Sequence, residues 1–207
     1  MTTTEATTPA VHLRSACGRS IPLPVHRWRD EATDDEQTLL AMCPGPVLDI
    51  GCGPGRVVLA VATAGRAALG IDSSPAAVSE AQDRGAPVLR RDVFGPVPAE
   101  GRWGSVLLWD GNIGIGGDPV RLLRRAGELM APDGVVVCEV EPPGQPTEVL
   151  DVHVCADGRD DSPWFPWARV GADDIVGLAR HAGLTVQALQ YRASRWFTWL
   201  RHRPEQP

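Results

Sequence analysis

The residues best placed to do chemistry in this chain of 207 residues lie in Val47-Leu-Asp-Ile-Gly-Cys-Gly-Pro-Gly-Arg56, where Asp49 precedes three alternating glycines, Gly51, Gly53 and Gly55. Glycine adopts backbone angles closed to other residues and lets a ligand approach the main chain. Acids recur just after the next apolar runs, as Asp72, Asp92 and Asp110. A glycine turn flanked by carboxylates suits a ligand that carries positive charge. Two histidines, His26 and His153, are the candidates for a general base.

These residues need a scaffold, and the hydrophobic pattern describes one. Short apolar runs at 47–50, 67–71, 87–89, 105–109 and 135–140 read as buried strands, with helices at 56–64, 75–84 and 119–130 between them. Such alternation implies βαβ units and a mostly parallel sheet covered on both faces. The glycine turn then falls at the carboxyl edge of a central strand, where doubly wound sheets bind ligands. The crossover at 94–101 is a loop or at most one helical turn.

Upstream, residues 21–28 read as an extended lead-in, and Thr33-Asp-Asp-Glu36 opens a short helix by a capping box. Downstream of a loop at 141–146, segments 147–154 and 164–170 pair as a hairpin across a turn at 157–163. Asp173 then caps a helix running to about His181, and strands at 184–191 and 196–200 complete the pattern. Residues 1–10 form a threonine-rich polar tail expected to be disordered. The rest reads as a single domain, with a lead-in and helix over 11–45, a core over 46–141, a hairpin insert over 142–171, and a helix with strands over 172–203.

The glycine loop and the spacing of Asp72 resemble motif I of the class I S-adenosylmethionine-dependent methyltransferases. The likeness continues through Ile71-Asp-Ser-Ser-Pro75, Arg91-Asp-Val93, Trp109-Asp-Gly-Asn112 and Leu129-Met-Ala-Pro-Asp-Gly134, covering roughly residues 45–141. It implies a doubly wound, Rossmann-like fold: a seven-stranded, mostly parallel sheet with the last strand antiparallel, helices on both faces, and the small hairpin inserted after the fifth strand. It also implies S-adenosylmethionine as cofactor. Gly51, Gly53 and the surrounding backbone of Cys52 and Gly55 would hold its methionine and ribose portions, with Asp49 near the amino-acid end. Asp72, with Ser73 beside it, would take the ribose hydroxyls. Asp92 would accept from the adenine amine, Val93 would pack on the ring, and the main chain of Asp110, Gly111 and Asn112 would meet the methionine amine.

Each position has a plainer alternative. A nicotinamide dinucleotide would use G-x-G-x-x-G and exposed amides for its pyrophosphate, but the third small residue falls where Arg56 stands. Asp72 is also a candidate N-cap ahead of Pro75. Asp92 in an Arg-Arg-Asp run is equally read as a surface charge, and Cys52 as a small packing residue.

Methyl transfer from a sulfonium is an in-line displacement, so the protein's main task is to position the acceptor. Trp28 in the lead-in, the glycine-rich loop at 112–118, and Trp164, Trp167 and Arg169 in the insert are the candidates to line that side. Arg169 suits an anionic substrate group or a surface position. Trp164 and Trp167 suit an aromatic wall for a ring substrate or for a dimer. Trp196 and Trp199, three apart on one strand, should face opposite sides of the sheet.

Composition narrows the partners. The formal net charge is −6 with no lysine at all, which argues against a broad nucleic-acid footprint. Five cysteines without CxxC spacing read as reduced thiols, and no metal site is expected. No basic leader or membrane-length apolar run is present, so the chain is placed in the cytoplasm, away from membranes, as a monomer or homodimer. The reading is methyl transfer from S-adenosylmethionine to a small-molecule acceptor, at oxygen or nitrogen. Its rivals are a non-catalytic binding or scaffold protein of the same fold and an NAD(P)-dependent oxidoreductase.

Overall fold

The computed structural model describes residues 11–156, 159–160 and 162–204. Two short strands come first, β1 (Val11–Ser15) and β2 (Ser20–Pro22), followed by a helical turn, α1 (Val25–Arg29). The segment read as extended over 21–28 is therefore half helix, with Pro24 at the N-cap in a non-helical conformation. Next, α2 (Asp34–Ala41) begins at the expected capping box: Thr33 accepts from the Glu36 N–H, and the Glu36 carboxylate accepts from the Thr33 N–H at 2.9 Å. The tail expected over 1–10 lies outside the described residues.

Three strand–helix steps follow. They are β3 (Val47–Ile50), α3 (Arg56–Thr63), β4 (Ala68–Asp72), α4 (Pro75–Asp83) and β5 (Val88–Arg90), then β6 (Trp103–Leu108), α5 (Pro119–Leu129) and β7 (Met130–Val140). No helix intervenes between β5 and β6, in keeping with the proline-rich crossover. After β7 come β8 (Glu148–Ala156), β9 (Arg159–Asp160), β10 (Phe165–Arg169), α6 (Ile175–His181), β11 (Leu184–Arg192) and β12 (Arg195–His202).

Seven of these strands form one sheet in the order β11-β12-β7-β6-β3-β4-β5. Neighbours from β7 to β5 are parallel, and β12 is antiparallel to both β7 and β11. The sheet is buried on both faces. Leu48, Ile50, Val106, Leu108 and Val136 pack toward Leu122, Leu123 and Ala126 of α5 and Ile175 of α6. Val47, Leu107, Val135 and Val137 pack toward Leu39 and Leu40 of α2 and Val57 and Val61 of α3. Each such side chain contributes about 1.5–3 kcal/mol by leaving water. Trp196 packs on the first cluster and Trp199 on the second, as their odd separation on a strand requires.

The insert pairs more widely than the hairpin reading anticipated. β8 is flanked by β10 on one side and by β1 on the other, with Val11 opposite Ala156 and Ser15 opposite Val152. The result is a second, antiparallel sheet in the order β10-β8-β1-β2, with β9 also on β8. The expected turn over 157–163 lies partly outside the described residues. Asp173 does not cap α6; Asp174 holds the N-cap position without a side-chain cap. Their carboxylates instead accept from the N–H groups of Gly144, at 2.7 Å, and Thr147, at 3.2 Å, binding the loop after β7 to the start of α6. Among the described residues no helix is long and apolar enough to cross a membrane.

Candidate active site

At the carboxyl edge of β3 the chain reverses through Gly51 (φ +71°) and Gly53 (φ +53°), in the left-handed region where a side chain is strained. The N–H groups of Gly51 and Cys52 both donate to Ile71 O, at 2.8 and 3.1 Å, pinning the loop to β4. A Cβ on Gly51 would lie 2.8 Å from the side chain of Asn112, whose amide donates to the carbonyls of Ile50 and Gly51 at 2.9 and 2.8 Å. A Cβ on Gly53 would meet nothing within 4 Å, so this part of the loop faces open space. Gly55 serves packing instead, since its Cβ would stand 2.8 Å from that of Ala86. Cys52 turns its side chain inward among Val58, Val78, Ala81 and Val88. Burial, reinforced by the charges of Asp49 and Asp72, pushes its thiol well above the ordinary range.

The acids take distinct places around this loop. Asp72 closes β4 and accepts from the Gly53 N–H at 3.0 Å and the Ser74 N–H at 2.8 Å. The cap of α4 is Ser74, which accepts from the Ala77 N–H at 3.3 Å. Ser73 and Asp92 are exposed, Asp92 accepting from the Phe94 N–H at 3.0 Å, while Val93 is buried in the core. Asp49 is only 2% exposed. Burial and then the charge of Asp110 push its carboxyl up to about 8, against the pull of Arg56.

Asp110 is the hub of a charge network that the local sequence does not announce. It adopts φ +53° and is followed by Gly111 at φ +82°, so the chain leaves β6 in a strained turn. Arg56 donates to its Oδ2 at 2.7 Å; Arg27 and Arg195 donate to its Oδ1 at 2.8 and 3.1 Å. Arg195 also donates to Glu139 at 2.7 Å and to Glu36, and Arg56 pairs with Glu36 in turn. Glu36 and Arg56 are buried at 2% and 3% exposure. Burial opposes ionisation of both, yet Glu36 is held below its usual range by the Thr33 N–H, Arg56 and Arg195. Glu139 is instead raised, chiefly by burial.

The hairpin that delivers Arg195 is itself strained. Its two-residue turn, Ala193-Ser194, has positive φ at both positions, the conformation that Asn-Gly normally supplies. Around this turn opens a cavity of about 500 Å³ between the small sheet and the carboxyl edge of the large one. Leu13, Ile21 and Leu23 come from the small sheet side, Trp167 and Arg169 from β10, Asp110, Gly111 and Ile113 from the turn after β6, Glu139 and Glu141 from the end of β7, and Tyr191, Arg195 and Trp196 from the last hairpin.

The structure thus brings Trp167, Arg169, Asp110 and Gly111 to one cavity, while His26, Trp28, Trp164 and His153 are not among its lining residues. His153 is buried on β8 with its ring 4.5 Å from that of Trp164. Trp28 lies toward the glycine loop, where Arg84 donates to the carbonyls of both Trp28 and Pro54. Sequence reasoning missed Arg27, Glu36, Glu139, Tyr191 and Arg195. A signal existed for Glu139 alone: a carboxylate inside the apolar run Val135-Val-Val-Cys-Glu-Val140 requires a partner when buried.

Several solved structures share this architecture. An S-adenosylmethionine-dependent methyltransferase from Bacteroides fragilis, in complex with S-adenosyl-L-homocysteine, superposes with a TM-score of 0.76 at 20% identity, over 93% of this chain and 87% of that one. The glycopeptide N-methyltransferase MtfA complexed with S-adenosyl-L-methionine gives 0.61 at 15% identity, over 84% and 96%. The O-methyltransferase NcsB1 from neocarzinostatin biosynthesis gives 0.58 at 22%, over 77% of this chain and 49% of that one. Among curated proteins no sequence matches this chain. The sheet order and the antiparallel last strand are those of the class I S-adenosylmethionine-dependent methyltransferase fold. A family model described as a methyltransferase domain matches residues 25–189, and the chain belongs to that family.

Proposed function

We propose that this chain transfers a methyl group from S-adenosylmethionine to a small-molecule acceptor, at oxygen or nitrogen, as a cytoplasmic enzyme. The observation that carries the reading is the open face of the loop at Gly53, where an added Cβ would meet nothing within 4 Å among the described residues beyond its chain neighbours, bordered by the carboxylate of Asp72. The donor set fits the cofactor's chemistry. Asp72 retains lone pairs for ribose hydroxyls beyond the two N–H groups it already accepts. Asp49, buried with a proton held near neutrality, is poised to ionise beside a cation. Asn112 holds the loop in shape through two backbone carbonyls.

When bound, the cofactor supplies an electrophilic methyl on a sulfonium whose leaving group is neutral. The chain's own residues then have to orient an acceptor and exclude water. The cavity beside Asp110 and Gly111, walled by Trp167 and Trp196, is suited to both. Calorimetry with S-adenosylmethionine, alongside NAD and NADP, tests the cofactor assignment, and transfer of labelled methyl into a small-molecule cell extract tests turnover. Binding with labelled product supports the reading. Binding without product favours a scaffold role, and preference for NAD(P) favours an oxidoreductase.

A further inference from the structure

The acceptor cavity has an asymmetry of valence. Each guanidinium on its wall already faces carboxylates: Arg27 faces Asp110, Arg195 faces Asp110, Glu139 and Glu36, and Arg169 faces Glu141 and Glu148. An anionic acceptor would have to compete with one of these pairs. Glu139 is differently placed. Its Oε2 takes both of its hydrogen bonds, from the Asp110 N–H at 2.8 Å and from Arg195 at 2.7 Å, while Oε1 accepts none among the described residues. Oε1 is thus a carboxylate oxygen without a hydrogen bond on a residue that lines the cavity, as is Glu141 Oε2, but only Glu139 adjoins Asp110 through its main chain. The same cavity is lined by Trp167, Tyr191 and Trp196, the last two with rings 5.6 Å apart, and aromatic faces attract cations.

From this we infer that the acceptor is an amine, recognised as its ammonium by Glu139 Oε1, and that Glu139 takes the ammonium proton so that the nitrogen enters methyl transfer with a free lone pair. The inference rests on the methyltransferase reading and narrows it to nitrogen. In the proton step one N–H bond of the ammonium breaks and one O–H bond forms at Oε1, leaving a neutral amine and a neutral carboxyl. Burial raises the Glu139 carboxyl and so strengthens it as a base; Arg195 and Arg27 oppose that, Asp110 adds to it, and the Asp110 N–H opposes it.

The test is calorimetric, on the full chain, with benzylammonium, benzyl alcohol and benzoate as probes, each with and without S-adenosyl-L-homocysteine. Benzylammonium should bind at least tenfold more tightly than either of the others, and Glu139→Gln should remove that preference while leaving benzyl alcohol binding within about twofold, since a charge-assisted hydrogen bond is lost but the walls remain. Equal or tighter binding of benzoate or benzyl alcohol to the unmodified chain would overturn the inference, as would a preference that survives in the variant. Should Glu139→Gln not fold, the ranking of the three probes on the unmodified chain decides by itself. Failure of S-adenosyl-L-homocysteine to bind would overturn the methyltransferase reading, and is read separately from the probe ranking.

Discussion

Arg56 Nη2 donates to Asp110 Oδ2 at 2.7 Å, joining the first residue of the helix behind the glycine loop to the turn that follows the fourth parallel strand. The same position that excludes a nicotinamide fingerprint is therefore the buried cation of the site. It pairs with both Asp110 and Glu36, and it lies close enough to Asp49 to favour that carboxylate's charged form.

Truncating that cation should be costly. Arg56→Ala leaves Asp110 with Arg27 and Arg195 but buried Glu36 with Arg195 alone, and removing one partner of a buried pair typically destabilises by about 3–5 kcal/mol. Urea unfolding of the variant against the parent measures this. A loss below about 1 kcal/mol, the range of an exposed pair, would mean the network contributes little.

Gly51 and Asn112 are coupled sterically. Gly51→Ala places a Cβ 2.8 Å from the Asn112 side chain and forces a side chain to φ +71°. The clash and the strain together should cost about 2–4 kcal/mol. In the double variant with Asn112→Ala the clash is gone, and what remains is the strain at Gly51 and the loss of the two hydrogen bonds from Asn112. The double variant should then lose less than the sum of the two single losses, by about 1 kcal/mol or more, in a double-mutant cycle. Strict additivity would show that Asn112 moves aside freely.

Gly53 separates binding from packing. Gly53→Arg sends a long side chain into the open face of the loop from a Cβ that meets nothing within 4 Å among the described residues. It should abolish heat of binding for S-adenosylmethionine, while the left-handed backbone costs the fold only about 1–2 kcal/mol. Cofactor affinity within threefold of the parent would place the nucleoside elsewhere.

Asp49 gives the fold a pH dependence with a definite sign. Its carboxyl ordinarily titrates at 3.8 and in the folded chain at about 8, so the native state holds an extra proton between those values. A state that binds more protons loses ground as they become scarce, so this group's contribution to stability falls as pH rises across the window. The slope approaches about 1.4 kcal/mol per pH unit at most. Asp49→Asn should remove it, so that the stability of the variant relative to the parent grows from pH 4 to pH 8 in a urea series. A difference independent of pH would mean that Asp49 is ionised throughout.

What the amino-acid order determined by itself is the part of the protein written in short-range patterns. Runs such as Val135-Val-Val-Cys138 announce a buried strand, Gly51 and Gly53 announce a turn that bare backbone must make, and Thr33 with Glu36 announces a helix start, because each depends on neighbours within a few residues. Tertiary structure decided the rest. Nothing near Val11 indicates that its strand will lie against Ala156, since pairing partners are chosen by which edges the packed core leaves exposed. Glu139 signals that a buried carboxylate needs a cation, but only the antiparallel return of β12 brings Arg195 to it and on to Glu36. The cavity follows from the same long-range choices: it exists because the small sheet is seated over the carboxyl edge, and its chemistry is set by side chains that meet only there.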